Sequence, residues 1–190
     1  MGEDTWTELV AAHERSRPAA VTEVAAHAPK AAILACSDAR VPPSVVFGQP
    51  AGSLFVIRIA GNTATPEVLA SLDYAVEQLG VDLVIVLGHS GCGAVQAAAA
   101  GTCGGHLAPI VEPICAIARS NPDASLDRLV VLNVEEAVAS LIRHDGPTGE
   151  GVRIGTIDVR GAVHDLTTGS LVPLTDSPDP TTTQTLLETT

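Results

Sequence analysis

The sequence predicts an α/β fold, a mostly parallel central β-sheet flanked by helices. Three observations lead there. Short, nearly all-apolar runs stand at Ala31–Ala35, Leu54–Ile59 and Val81–Leu87, as strands covered on both faces require. Segments with apolar residues at helical spacing alternate with these runs, the pattern of parallel strands joined by helices. The 190 residues are 46% apolar and only 2% aromatic, so Ala, Val, Leu and Ile must build the core. Ala and Val among them let helices lie close against a sheet.

Residues 1–30 read as an N-terminal helical arm, one or two short helices broken at Pro18 and Pro29. Ala31–Ala35, ending in Cys36, is the first strand and Leu54–Ile59 the second. Thr65-Pro66-Glu67 opens a helix: a hydroxyl at the N-cap, Pro at the first helical position, an acid in the first turn. Val68, Leu69, Leu72, Val76 and Leu79 follow at helical spacing, and Gly80 ends the helix. Val81–Leu87 is the third strand. Gly88–Gly93 is a turn, and Ala94–Ala100 opens the next helix. Leu107–Arg119 and Leu126–Arg143 are amphipathic helices, the second with Ser125 as its cap. Val152–Val159 and Val163–Asp165 read as late strands, and Leu166–Gly169 turns into Leu171–Leu174. The length suits one domain, placed at 31–174, and the Thr-, Pro- and Asp-rich segment 175–190 reads as a flexible tail.

The formal net charge of −12 excludes whole classes of function. A nucleic-acid binder needs Lys and Arg against phosphates, and an anionic membrane surface would repel this chain. Met1-Gly2-Glu3-Asp4 is acidic and no apolar run follows, so no secretory signal is expected ahead of the first motif. With four cysteines and no such signal, the expectation is a cytoplasmic protein with reduced thiols.

Two short segments carry the chemistry: Cys36-Ser37-Asp38-Ala39-Arg40 and Gly88-His89-Ser90-Gly91-Cys92-Gly93. A thiolate and an imidazole three residues apart in a Gly-rich turn can grip one tetrahedral zinc, with Cys36 as a third ligand brought in by sheet pairing. Three protein ligands leave a fourth position open, as catalytic zinc sites do. Both segments follow strands, at the sheet edge where ligands of α/β proteins bind. A nucleophilic Cys92 beside His89 is the alternative, but it leaves Cys36 and Asp38 without a role. A redox pair fits less well, because no Cys-x-x-Cys occurs.

From about Ala31 to Leu174 the sequence resembles the β-class carbonic anhydrases. The resemblance rests on Ala35-Cys36-Ser37-Asp38-Ala39-Arg40-Val41, on Phe55-Val56-Ile57-Arg58-Ile59-Ala60-Gly61-Asn62 and on Gly88-His89-Ser90-Gly91-Cys92-Gly93-Ala94. It implies a zinc-dependent enzyme that reversibly hydrates CO2 to bicarbonate and a proton. Cys36, His89 and Cys92 would be the metal ligands, and zinc would bring the pKa of water toward ~7. Asp38 would orient the attacking oxygen, and Arg40 would keep Asp38 ionised and aimed. Phe55, Ala60 and Tyr74 would line a small apolar CO2 pocket, and the Gly93 N–H would meet bicarbonate. The resemblance further implies a homodimer or higher homo-oligomer.

The chain departs from the family pattern in three places. His27 stands where many relatives carry a substrate-binding Gln, so it is the expected donor there. Ile59 replaces a polar residue, and the N-terminal region is short. Cys103 and Cys115 are expected to be non-ligands, while His106 and His164 are candidates for passing protons to buffer. Two other functions fit the same motifs: hydrolysis of carbon disulfide or carbonyl sulfide, and a catalytically silent zinc-binding scaffold or sensor.

Overall fold

A computed structural model gives the architecture and describes residues 2–17 and 26–174. The break expected at Pro18 and the tail expected at 175–190 lie outside the described residues. Among the described residues five strands form one sheet: β1 (Ala31–Ala35), β2 (Leu54–Arg58), β3 (Leu83–His89), β4 (Asp158–His164) and β5 (Leu171–Leu174), in the order β2-β1-β3-β4-β5. β2, β1, β3 and β4 run parallel. β5 returns antiparallel to β4, after a turn in which Asp165 Oδ1 accepts the N–H groups of Thr167 and Thr168.

The helices are α1 (Gly2–Ser16), α2 (Pro43–Val46), α3 (Pro66–Leu79), α4 (Gly93–Ala99), α5 (Ala108–Ser120), α6 (Leu126–Arg143) and α7 (Pro147–Arg153). α3 starts at Pro66 as its sequence dictates, and Gly80 ends it at φ 67°, a left-handed turn that glycine adopts without steric cost. The Thr65 hydroxyl makes no capping bond there. Ser125 does cap α6, accepting the Arg128 N–H at 3.2 Å.

Two-residue alternation divides the core. Ala32, Leu34, Val84 and Val86 face the larger layer, packed against α3, α4, α5 and α6. Ala31, Ile33, Ala35 and Leu87 face a smaller cluster that includes Val46 and Phe47 at the end of α2. α6 lies so close on the sheet that a Cβ at Gly88 would stand 2.4 Å from Val134 Cγ2. None of the described residues of α1 is buried.

The two late strands expected from Val152 are corrected. Val152 and Arg153 belong to α7, which begins at Pro147 in its first turn. Glycine makes that helix possible: a Cβ at Gly149 would fall 2.0 Å from the His144 carbonyl oxygen, and one at Gly151 2.2 Å from Ile157 Cγ1. β4 then runs unbroken from Asp158, because β3 pairs with it along its whole length.

Candidate metal and catalytic site

Strand order places the site. β1 and β3 are neighbours, yet the chain visits β2 between them, so the order of strands reverses at their carboxyl ends. A crevice opens where such a reversal occurs. Cys36 leaves β1 there, His89 ends β3, and Cys92 precedes α4. The tight turn between the last two is made at Gly91, whose φ is 64°.

All three side chains are buried, at 5%, 0% and 2% relative exposure for Cys36, His89 and Cys92. Their donor atoms lie within 4.8 Å of one another, with the two sulfurs 4.0 Å apart. His89 Nδ1 is 2.9 Å from the Ser90 carbonyl oxygen, which fixes Nδ1 as the protonated nitrogen and frees Nε2 as a lone-pair donor. Nε2 is buried with no hydrogen-bond partner. A buried imidazole nitrogen left unpaired beside two thiols is costly without a ligand. The donor set fits zinc, which takes sulfur and nitrogen ligands in this combination.

The electrostatics agree. Cys92 acts as donor to Cys36 and lowers the Cys36 pKa, with the backbone N–H groups of Asp38 and Gly61 adding to the effect against burial. The Gly61 N–H lies 3.4 Å from Cys36 Sγ. Cys92 is driven upward by its neighbour's sulfur and by burial, so the pair shares a proton that a cation would displace.

Asp38 stands beside this donor set, its Oδ2 3.9 Å from His89 Nε2. Arg40 grips the carboxylate with two side-chain bonds, Nε to Oδ1 at 2.9 Å and Nη2 to Oδ2 at 2.6 Å, and its backbone N–H adds a third at 2.9 Å. Arg40 thereby holds the Asp38 carboxyl well below the usual carboxylate range. The carboxylate is bound by arginine and stands outside the three-residue metal group.

The other expected residues fall in two places. Ala60 opens a short 3₁₀ turn, Ala60–Asn62, and adjoins Gly61; Gly93 follows Cys92 as the first residue of α4. His27, Phe55 and Tyr74 form an aromatic cluster, with ring centroids 6.2 Å apart for His27–Phe55 and 6.2 Å for Phe55–Tyr74. His164 pairs with His89 across the strands, and its Nδ1 is buried without a partner. Sequence reasoning missed Asn133, a buried amide on the apolar face of α6 that donates to the Gly61 carbonyl oxygen at 2.7 Å. A lone Asn between Leu132 and Val134 in an apolar stripe was the signal for it. The expectation of reduced thiols is corrected for one pair: Cys103 and Cys115 form a disulfide, while Cys36 and Cys92 are free.

The family model described as carbonic anhydrase matches residues 31–171, most of the chain and every residue of the donor set. This chain belongs to the carbonic anhydrase family. Carbonic anhydrase 2 of Mycobacterium tuberculosis is 36% identical over 152 residues, covering 76% of this chain and 73% of the relative. The carbonic anhydrase of Mycolicibacterium smegmatis is 34% identical over 161 residues, covering 80% and 77%. Among solved structures, the β-carbonic anhydrase CafA of Aspergillus fumigatus superposes with a TM-score of 0.72 at 28% identity, over 97% of this chain and 94% of that one. A tetrameric β-carbonic anhydrase of Sordaria macrospora gives a TM-score of 0.73 at 25% identity, over 91% and 93%. The family is therefore represented here in its β class, whose members are zinc enzymes.

Proposed function

We propose that this protein catalyses the reversible hydration of CO2, consuming one water and releasing bicarbonate and one proton. The observation that carries the reading is the buried Cys36–His89–Cys92 group with the Asp38–Arg40 pair at its edge. Cys36, His89 and Cys92 would hold zinc. When bound there, the metal supplies a Lewis acid that makes water a nucleophile near neutral pH.

The chain's own residues do the rest. Asp38 is acceptor-only while ionised, and Arg40 keeps it so. It takes a hydrogen bond from the attacking water and turns the lone pair of that oxygen toward CO2 carbon. Arg40 occupies both carboxylate oxygens from one side, which limits rotation of the group and leaves one direction for that bond. The released proton passes to buffer, with His106 and His164 as the proposed carriers. Phe55, Ala60 and Tyr74 are proposed as the apolar lining, with Gly93 N–H and His27 as donors to bicarbonate. The His27–Phe55–Tyr74 cluster supports their acting together.

We place the protein as a homo-oligomer, a dimer at least. α1 supports this: it buries no residue within the chain and leaves Trp6 67% and Leu9 61% exposed. No described helix is long and apolar enough to cross a membrane. Location in the cytoplasm is also proposed, and the Cys103–Cys115 disulfide speaks against it. Four free thiols in freshly extracted protein, counted after denaturation and zinc removal, would support the cytoplasm, whereas only Cys36 and Cys92 reacting would overturn it.

Stopped-flow CO2 hydration, with zinc measured on the same sample, tests the function. Turnover with about one zinc per chain is expected, and Cys36→Ser should lose both. Full turnover by Cys36→Ser would sink the assignment. Sulfide release from carbonyl sulfide well above CO2 turnover would replace it.

A further inference from the structure

Arg58 closes β2 and lies opposite Ala35, the last residue of β1. Ile59 makes the final ladder bond, its N–H reaching the Ala35 carbonyl oxygen at 3.1 Å. Beyond that point the main chain of Cys36–Arg40 has left the sheet, and its carbonyl groups need other partners. The Val41 N–H reaches the Asp38 carbonyl oxygen at 3.2 Å, and the Arg58 side chain adds a donor there and one at Cys36. Its Nε donates to the Cys36 carbonyl oxygen at 2.9 Å, and its Nη2 donates to the Asp38 carbonyl oxygen.

Those two carbonyls belong to the two residues that bring a thiol and a carboxylate into the site from this turn. A guanidinium is a rigid planar fork, so it fixes both acceptors relative to each other. A lysine ammonium is a point donor on a flexible stem and fixes neither. Arg40 grips the Asp38 carboxylate itself, whereas Arg58 holds the main chain from which that carboxylate hangs.

The geometry points to Arg58 as a positioning residue for the reaction. It pins the Cys36–Asp38 turn to the end of β2, so that Cys36 Sγ and the Asp38 carboxylate keep their places relative to His89 and Cys92. This rests on the reading of the chain as a zinc-dependent CO2 hydratase. Partners that orient metal ligands from outside the ligand set are commonly worth 10- to 100-fold in affinity or activity.

The test uses the zinc-loaded full chain with Arg58→Lys and Arg58→Ala. Three quantities are measured: kcat and KM for CO2, the rate at which zinc passes to a colorimetric chelator, and the melting temperature. Arg58→Lys should lower kcat and speed zinc release, each by roughly 10-fold, with KM changed by less than about twofold. Free guanidinium should restore part of the kcat lost in Arg58→Ala. Wild-type kcat and zinc release in Arg58→Lys would overturn the proposal. So would losses that follow the melting temperature in both variants and resist guanidinium, which would assign Arg58 to general stability. If the wild type does not hydrate CO2, the functional reading fails alone, and the zinc-release comparison still decides the role of Arg58.

Discussion

Asn133 on α6 donates a 2.7 Å hydrogen bond to the carbonyl oxygen of Gly61, whose own N–H faces Cys36 Sγ. A helix packed on the core thus holds the residue whose N–H faces the Cys36 sulfur. Asn133→Leu keeps the branching at Cγ and removes the donor. The Gly61 carbonyl is then buried without a partner, which costs about 1–3 kcal/mol. Chemical denaturation should show that loss, and zinc should leave faster to a chelator; an unchanged release rate would confine Asn133 to stability.

Asp38→Asn preserves shape and removes the charge that Arg40 grips through two side-chain bonds. Cys36, His89 and Cys92, the residues proposed to hold zinc, are untouched, so zinc content should stay at the wild-type level. CO2 hydration should fall by roughly 10- to 100-fold, the range for partners just outside a metal's ligand set. Loss of zinc in parallel with activity would show Asp38 acting as a ligand instead.

Cys103 and Cys115 enclose a loop of 12 residues' separation between α4 and the body of α5. Cross-linking a loop of that size restrains the unfolded chain by about 3 kcal/mol. Cys103→Ser should therefore lower unfolding stability by about that amount. A reducing agent should lower the wild type equally and leave Cys103→Ser unchanged. Equal stability of wild type with and without the reductant would show that the bond contributes nothing.

Asp73 joins α3 to the start of α7. Its Oδ1 accepts the Thr148 N–H at 3.0 Å, and its Oδ2 lies 2.8 Å from His144 Nε2. Burial pushes its carboxyl up, but the Thr148 and His144 partners outweigh this and hold it below its ordinary value. A carboxyl depressed in the folded state stabilises fully above its unfolded pKa of ~3.9 and loses that contribution as pH falls below it. Asp73→Asn should thus lower the melting temperature by a few degrees near pH 6. The gap should narrow as pH drops below about 4. A gap independent of pH would show that the carboxylate charge is not what stabilises.

Much of this was legible in the sequence, for definite physical reasons. Ala31–Ala35 reads as a doubly covered strand because it is one, buried at every position between β2 and β3. Thr65-Pro66 and Gly80 bound α3 because proline fixes φ and glycine permits the left-handed turn whatever surrounds them. Cys36, Asp38, Arg40, His89 and Cys92 are visible because their chemistry is compressed into two short segments. What escaped depends on contacts between distant segments. α7 looked like a strand because Val152, Ile154 and Ile157 are apolar, while the helix depends on Gly149 and Gly151 meeting His144 and Ile157. The Cys103–Cys115 pairing needs the fold of α5 against the loop after α4, and spacing alone does not reveal it.

The contact between Gly88 and Val134 has a consequence for how this chain can vary. The space a Cβ would need at Gly88 is already filled by the Val134 methyl group, and Gly161 meets the same side chain from β4, where its Cβ would stand 2.9 Å from Val134 Cγ1. Three positions on three elements therefore share one small volume. A methyl gained on either strand must be surrendered on the helix, or α6 must lift from the sheet and carry Asn133 with it. A larger residue at 88 or 161 consequently calls for a smaller one at 134.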